Sequence, residues 1–344
     1  FQPGNSFVSR KDLKKHEVSL PMKAAYLTTP AQITLLEHSK DALAEKILET
    51  RACGICHSDR KAFLHPPNGM ELPRILGHEV AGILQKDLPH LELAKGDRVV
   101  LWPALACNAC RFCRSNRPNL CPELELFGYS IDGGFSNALF LTPEIADKTK
   151  AFKIPDSISF DQATLTEPLA CILNGLNKVR RLHETSLIIG AGLMGRLAAR
   201  VIKAITGAAA LIHDTDPIRT KNAAQEGDLF SNGQSADTIL IAASTESALQ
   251  LALTSLTPGG TVVLFSGMPK GARIDTLHNE LHQKEQSLAG AYGCTPADMD
   301  QAMKLLESGK VQVPDLITRR IPLAELSDEL SRTPGPDEYK TIVY

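Results

Sequence analysis

A glycine-rich turn between an apolar strand and a helical stretch limits most strongly what this 344-residue chain can fold into. The turn runs from Gly190 to Gly195, after the apolar run 187–189 and before a helical pattern over 193–205. In such a G-x-G-x-x-G turn, the first glycine permits the bend and the second lets the backbone approach a pyrophosphate. The third allows close helix–strand packing, and the helix N-terminus offers free N–H groups to the anion. The residues predicted to contact a dinucleotide are Gly190, Gly192, Leu193, Met194 and Gly195.

An acidic residue after the next apolar run bears on which dinucleotide is bound. Asp214 stands nineteen residues after Gly195, at the predicted end of a strand. A carboxylate there can accept hydrogen bonds from both ribose hydroxyls and would repel a 2′-phosphate, which favours NAD over NADP. Arg219, five residues further on, could instead hold a phosphate or lie along the adenine. NADP therefore stays open as the less favoured cofactor.

The hydrophobic pattern divides the chain into two parts. From Met22 to about Thr166, short β-like runs alternate with proline, glycine and charged turns, which predicts a mostly-β domain. From Glu167 onward, apolar runs alternate with helix-compatible stretches, as in a doubly wound parallel sheet with both faces covered. These runs lie at 186–189, 208–212, 238–241 and 261–265.

Two segments of the second part depart from a regular alternation of strands and helices. Only twenty-two residues separate Asp214 from Asp237, where a helix, a strand and another helix are expected. Either one crossover is abbreviated or the sequence omits residues. After Gly293, the pattern predicts a helix over 296–308 and short strands near Val311 and Thr341.

Charge and hydropathy exclude several classes of partner. Lys+Arg total 37 against Asp+Glu 39, so the near-neutral chain gives no reason to expect nucleic acid. No segment resembles a membrane span. Residues 1–21 lack the apolar centre of a secretory signal and are interpreted as an extension or an expression remnant before Met22. The expected location is the cytoplasm, where thiols stay reduced and available to metal.

Four cysteines in one polar, proline-rich loop predict a structural zinc site. Their spacings are x2, x2 and x7, and four thiolates so placed can surround one tetrahedral Zn²⁺ with no open position. Arginines within the same loop are interpreted as a solvated face, because the chain as a whole is nearly neutral. The predicted ligands are Cys107, Cys110, Cys113 and Cys121.

A second metal site can be assembled only from separated pieces of sequence. The segment 53–59 offers thiolates, a hydroxyl and a carboxylate, Gly77-His78-Glu79 offers an imidazole, and Glu167 offers a carboxylate. One Cys, one His and one Glu would leave an open position, as a catalytic zinc requires. Taken alone, Cys53 and Cys56 could be a redox pair, His78 a core histidine and Glu167 a helix-capping acid. The residues themselves leave these alternatives open.

Several motifs in one order identify a family resemblance that extends over nearly the whole chain from Met22. The chain resembles the zinc-containing medium-chain dehydrogenases, and within them the polyol, sorbitol and threonine dehydrogenase branch. The motifs are the glycine turn and four-cysteine loop above, Cys53-Gly-Ile-Cys56-His-Ser-Asp59, Ile75-Leu-Gly-His78-Glu79-Val-Ala-Gly82, Gly96-Asp-Arg-Val99, Gly133-Gly-Phe135, Glu167-Pro-Leu-Ala170, Gly290-Ala-Tyr-Gly293 and Ser308-Gly-Lys310.

The resemblance implies a nested α/β architecture. A GroES-like, mostly-β catalytic domain would be built from residues 22–166 and 296–344, with a structural-zinc lobe at about 103–124. A Rossmann NAD-binding domain over 167–295 would be inserted between them. Two zinc ions per chain are expected, one catalytic and one structural.

The resemblance also assigns roles at the catalytic site. It implies that Cys56, not Cys53, ligates the catalytic zinc together with His78. Glu167 stands where this branch has Glu and the classical alcohol dehydrogenases have Cys. Glu79 follows the ligand His78, and in the polyol branch the two glutamates can alternate with water around the metal, so both are candidate ligands. Asp59 would orient an imidazole, and Ser58 would pass on the substrate proton. Of the remaining residues, His57 is a candidate for the pyrophosphate, Cys53 and Cys171 are predicted core residues, and Cys294 has no assigned role.

The predicted function is hydride transfer between a secondary alcohol or polyol and NAD. The alternatives are a ketone or aldehyde reductase using NAD(P)H and, in another class, a non-catalytic dinucleotide-binding zinc protein. Lys61 stands where other alcohol dehydrogenases end the proton relay with a histidine, and nothing in the sequence places His65. The expected partners are a small alcohol or ketone and a second copy of the chain, as a homodimer or homotetramer. Association would use a Rossmann edge strand near 261–267 or the structural-zinc lobe.

Overall fold

A computed structural model describes residues 22–38, 45–179, 182, 185–231, 233–268, 271, 273 and 278–344. The proposed extension at 1–21 lies outside the described residues. The strands are β1 (Met22–Thr29), β2 (Gln32–His38), β3 (Glu45–Gly54), β4 (Arg74–Ile75), β5 (Glu79–Leu84), β6 (Arg98–Leu101), β7 (Ala104–Leu105), β8 (Glu125–Leu126), β9 (Ala138–Leu141), β10 (Ala151–Lys153), β11 (Ser186–Ile189), β12 (Leu211–His213), β13 (Asp228–Leu229), β14 (Ala236–Ile241), β15 (Leu256–Leu264), β16 (Ser287–Gly290), β17 (Ile317–Ile321) and β18 (Lys340–Val343). The helices are α1 (His57–Leu64), α2 (Arg111–Arg114), α3 (Pro143–Lys148), α4 (Phe160–Ala163), α5 (Thr166–Leu176), α6 (Leu193–Thr206), α7 (Pro217–Ala223), α8 (Glu246–Ser255), α9 (His278–Gln283), α10 (Pro296–Glu307) and α11 (Leu326–Ser331).

The first part of the chain forms a mixed sheet that the chain's last strands complete. Its order is β10-β6-β5-β3-β18-β17, and β9 also pairs with β3. Strand β18 runs antiparallel to β3, with Ile342 opposite Gly54 and Val343 opposite Cys53. The first part of the chain also forms a smaller sheet in the order β2-β1-β4. Strand β3 of the first part and the last strand, β18, thus pair in one sheet, next to the segment that carries Cys56.

The second part forms a six-stranded sheet in the order β13-β12-β11-β14-β15-β16, and every pairing in it is parallel. All four residues of the central strand β11 are buried, as the continuous apolar run predicted. The strand order reverses between β11 and β14, so a crevice opens at the carboxyl end of β11, where the glycine turn follows. The expected pairing of a GroES-like domain with a Rossmann sheet is confirmed.

Helix α10 packs into the same apolar core as α5. Met299 and Leu306 of α10 belong to one buried cluster with Leu169 and Leu173 of α5. The proposed change of domain at residue 296 therefore crosses a continuous core, and the boundaries stay a prediction.

The structure corrects two local expectations and shows which crossover is short. The run 261–267 does not lie at the sheet edge, because four-residue β16, too short to give a sequence signal, pairs outside β15. No strand forms at Val311; β17 begins at Ile317, after a single 3₁₀ turn. Between β13 and β14, the described residues contain no helix, so this crossover is the abbreviated one.

No helix in the described part of the chain combines the length and apolar character needed to cross a membrane.

Candidate active site and zinc centres

The four cysteines of the lobe meet as predicted. Their Sγ atoms lie 3.5 Å apart in the pairs Cys110–Cys113 and Cys121–Cys107, and 3.9 Å apart in Cys107–Cys113. A disulfide would need about 2.05 Å, whereas sulfurs at the corners of a zinc tetrahedron with bonds of about 2.3 Å lie well over 3 Å apart. Backbone N–H groups of Ala109 and Cys110 lower the pKa of Cys107 to about 7, whereas burial raises the pKa of Cys113 to about 12 and raises that of Cys121, so Cys107 ionises before these two. The donor set fits a structural zinc ion.

One buried carboxylate joins the two turns that carry the central ligand candidates. Cys56 precedes α1, and its backbone N–H donates to Asp59 Oδ2 at 2.8 Å, so that the turn after β3 is capped. The other oxygen, Asp59 Oδ1, accepts from the N–H of Gly77 at 3.3 Å. Asp59 is fully buried. Its position fixes Cys56 relative to the turn that presents His78.

The same carboxylate faces the His78 ring. Nδ1 of His78 lies 3.4 Å from Asp59 Oδ1, but it is buried and makes no hydrogen bond of good geometry within the described residues. Burial lowers the pKa of His78, yet the negative Asp59 and the nearby Cys56 outweigh it and raise the pKa well above the usual value. The negative groups around His78 therefore favour a positive charge at this place, and a bound metal cation would meet that preference.

Glu79 supplies the third donor. One ligand atom each from Cys56, His78 and Glu79 lie within 4.8 Å of one another. The Glu79 carboxylate is 1% exposed and accepts from Lys340 Nζ at 2.7 and 2.6 Å. Sequence reasoning missed Lys340, whose only signal was a charged residue opening the fully buried strand β18. A thiol, an imidazole and a carboxylate so close together fit a zinc site with an open position.

Glu167 lies in a separate donor group. Its oxygen Oε1 accepts from Cys171 Sγ at 3.2 Å, and these two residues form with Cys294 a set whose donor atoms lie within 4.8 Å of one another. Glu167 does not belong to the group of Cys56, His78 and Glu79. The structure therefore brings only one of the two candidate glutamates to the Cys–His pair.

The glycine turn has the backbone geometry that a nucleotide site needs. Gly190 has φ +106°, which favours glycine, and a Cβ on Gly195 would lie 1.8 Å from the Gly190 carbonyl oxygen. Asp214 follows β12, and its carboxylate accepts from the N–H groups of Ala191 at 2.7 Å and Asp216 at 2.9 Å. Gly192 directly precedes α6 and leaves that helix's first N–H groups facing the crevice.

Arg219 reaches the same turn from α7. A guanidinium nitrogen of Arg219 stands 4.0 Å from where Gly192 would carry a Cβ. Its Nε is buried and has no hydrogen-bond partner among the described residues. The turn thus has both a carboxylate and a guanidinium beside it.

A single cavity of about 1460 Å³ joins the glycine turn to the Cys56 group. Its volume exceeds the common range for one small ligand and suits a dinucleotide with a substrate. The predicted residues on its wall are His57, Ser58, Cys56, His78, Glu79, Glu167, Gly190, Gly192, Leu193, Met194, Gly195, Asp214 and Arg219.

Tyr129 is a second residue that sequence reasoning missed. It lines the cavity, and its ring centroid lies 6.2 Å from that of His78. Burial raises the pKa of its phenol to about 12, so it stays protonated near neutral pH. Lys61 is exposed but also borders the cavity, whereas His65 is not among its lining residues.

The comparisons with known proteins agree with this geometry. Residues 44–156 match the family "Alcohol dehydrogenase GroES-like domain", and residues 198–308 match "Zinc-binding dehydrogenase". L-galactonate-5-dehydrogenase of Escherichia coli K12 is 30% identical over 306 residues, covering 84% of this chain and 87% of that protein. Sorbitol dehydrogenase of Bacillus subtilis 168 is 27% identical over 341 residues, covering 92% and 95%.

Solved structures share the fold. A Sinorhizobium meliloti 1021 protein bound to NADP has a TM-score of 0.85 at 24% identity, covering 94% of this chain and 99% of that one. An alcohol dehydrogenase of E. coli CFT073 complexed with NADH has a TM-score of 0.83 at 23% identity, with the same coverage.

Fold and site together define a zinc-dependent dehydrogenase. The chain belongs to the zinc-containing medium-chain alcohol dehydrogenase family. It lies in the branch that acts on alcohols and polyols.

Proposed function

We propose that this enzyme oxidises a secondary hydroxyl of a polyol or related polyhydroxy compound with NAD⁺. The observation that carries the proposal is the cavity that holds both the Cys56–His78–Glu79 donor group and the glycine turn. Relatives named for L-galactonate, D-arabinitol, sorbitol and D-altritol all act on chains with several hydroxyls. The wall of the cavity offers polar side chains that could hold such a chain, among them Ser58, Asn119 and Lys178.

Cys56, His78 and Glu79 would hold the catalytic zinc. When bound, the ion supplies Lewis-acid chemistry that lowers the pKa of a substrate hydroxyl. Asp59 keeps the two ligand-bearing turns at a fixed separation, and Lys340 holds the Glu79 carboxylate in place. Glu79 is preferred over Glu167 as the protein ligand because it alone groups with Cys56 and His78.

Ser58 would accept the substrate proton at Oγ. Ser58 is two residues from Cys56 and lines the cavity, as Tyr129 does. Because the Tyr129 phenol stays protonated near neutral pH, it can donate to Ser58 Oγ or to a substrate oxygen but not serve as the final base. Lys61 borders the cavity from the next turn of α1, where it could pass the proton to solvent.

Oxidation of hydroxyls by the zinc-saturated protein tests the proposed function. We expect NADH formation with at least one of L-galactonate, D-arabinitol, sorbitol and D-altritol, and weaker activity with simple secondary alcohols. NADH formation is followed at about 340 nm, where the reduced nicotinamide absorbs. If no polyol or alcohol is oxidised while ketones are reduced with NADPH, the proposed direction and cofactor are wrong.

Asp214 would select NAD by repelling the 2′-phosphate of NADP. For Asp214→Ser, we expect the ratio of kcat/KM for NADP to that for NAD to rise by about tenfold or more, a change of about 1.4 kcal/mol. Arg219, no longer opposed by a carboxylate, could then bind the phosphate. The matched control is Asp214→Ser with Arg219→Ala, which should lose most of that gain. A ratio that does not move in Asp214→Ser would contradict the assignment.

The proposal extends to self-association and location. In the six-stranded sheet, β16 has a free edge within the described residues, and it is the strand through which a homodimer or homotetramer could pair. The structural-zinc lobe is the other candidate surface. Oligomeric state and cytoplasmic location both stay predictions.

A further inference from the structure

Two cysteines that the reaction does not use lie beside Glu167. Glu167 and Cys171 are four residues apart on α5, so their side chains share one face of the helix. Cys294 reaches them from the segment between β16 and α10. The three donor atoms lie within 4.8 Å of one another, and all three residues line the cavity. Cys294 is 3% exposed and Glu167 8%, so the cluster is buried yet borders open space on one side.

The backbone that carries Cys294 is held in place by three side chains. Trp102 Nε1 donates to the Cys294 carbonyl oxygen at 3.0 Å. Asn174, one turn beyond Cys171 on α5, donates to the Gly293 carbonyl at 2.8 Å and the Tyr292 carbonyl at 3.2 Å. Asn119 also donates to Tyr292, at 2.8 Å. These bonds tie the Cys294 segment to α5, so its thiol is positioned before any ligand arrives.

We propose that Glu167, Cys171 and Cys294 form a third metal site, distinct from the catalytic and structural zinc sites, that binds a thiophilic divalent cation. Two sulfurs and one carboxylate oxygen select Zn²⁺ or Cd²⁺ over Mg²⁺ or Ca²⁺, which prefer all-oxygen ligands. The three protein donors leave a fourth position facing the cavity. This inference adopts Glu79 as the catalytic ligand, as proposed above, and gives Glu167 to the further site.

Charge balance permits the ion to bind close to the catalytic centre. As each Sγ–metal bond forms, the thiol proton passes to solvent, so two protons leave as one divalent cation enters. The net charge of the site is unchanged by this exchange. The buried Lys340 ammonium remains paired with Glu79 on the side of the catalytic group and need not move.

Metal stoichiometry of the whole protein tests the site. The protein is equilibrated with Zn²⁺ at a buffered free concentration under reducing conditions, freed of unbound metal, and assayed for zinc per chain by elemental analysis. We expect three ions in the parent and two in both Cys171→Ala and Cys294→Ala. With Cd²⁺ in place of Zn²⁺, the thiolate-to-cadmium absorption of the parent should exceed that of each variant.

Matched variants separate this site from the catalytic one. Cys53→Ala removes a buried cysteine that belongs to none of the three donor groups, and it should keep three ions. Cys56→Ala should lose one ion, and Cys56→Ala with Cys294→Ala should lose two. Only two ions in the parent, or three in the Cys294→Ala variant, overturns the further site. Three ions in Cys56→Ala would instead count against the proposed catalytic centre, so the two failures can be told apart.

Discussion

Replacing Cys56 by alanine is expected to remove one zinc ion and to lower kcat by about 10³-fold or more, since the metal supplies the charge stabilisation of the reaction. The thiol is the only sulfur in the Cys56–His78–Glu79 group. Without it, an imidazole and a carboxylate remain, and that carboxylate is already engaged by Lys340. The structural site shares no residue with this group, so its zinc should remain. Zinc per chain and polyol-dependent NADH formation measure the two effects.

Cys53→Ala is the matched control for that experiment. Cys53 is three residues earlier, fully buried, and packed where Gly77 and Gly134 leave room for its sulfur. Its sulfur belongs to none of the three groups of donor atoms that lie within 4.8 Å of one another in the described residues. The variant should keep its zinc and most of its turnover, with a modest loss of stability from the small cavity. Full turnover in Cys56→Ala would refute the assignment of the catalytic centre.

Motifs that act through neighbouring residues could be predicted from the sequence. The glycine turn needs only the strand before it and the helix after it, and the four cysteines of the lobe lie within one loop. The parallel sheet followed from continuous apolar runs, because a strand buried on both faces has no polar positions. The short edge strand β16 gave no such signal, since four residues are too few to show a period.

Contacts between distant parts of the chain could not be predicted. Lys340 meets Glu79 across 261 residues, because β3 pairs with β18 on one side and with β5 on the other. The β3–β5 pairing sets Gly54 opposite Glu79, and it explains the glycine, since a Cβ there would lie 1.9 Å from Glu79 Oε2. Likewise, Cys294 has no motif around it, and its relation to Cys171 depends on how α5 lies against the segment after β16. The sequence favoured neither Glu79 nor Glu167 as the third ligand, because that choice also depends on contacts between distant parts of the chain.

Lys340→Met is expected to destabilise the protein more than any substitution at an exposed ion pair. Both side chains of the Lys340–Glu79 pair are 1% exposed, so the variant leaves a carboxylate buried without its partner. Breaking such a pair costs about 3–5 kcal/mol, which for a chain of this size lowers Tm by about 5–10 °C. Thermal unfolding at one fixed scan rate measures the loss in the Cys56→Ala background, where no catalytic zinc compensates the Glu79 charge.

Two controls determine whether burial of the Glu79 charge is the cause. Lys304→Met breaks an exposed pair with Asp300, whose side chains are 70% and 53% exposed, and it should change Tm by less than about 2 °C. In the same Cys56→Ala background, Lys340→Met combined with Glu79→Gln removes the unpaired charge, so it should be more stable than Lys340→Met alone. If the double variant loses the full sum of the two single effects, the residues are not coupled. In that case Lys340 stabilises the sheet by packing in β18 rather than by holding the metal-site carboxylate.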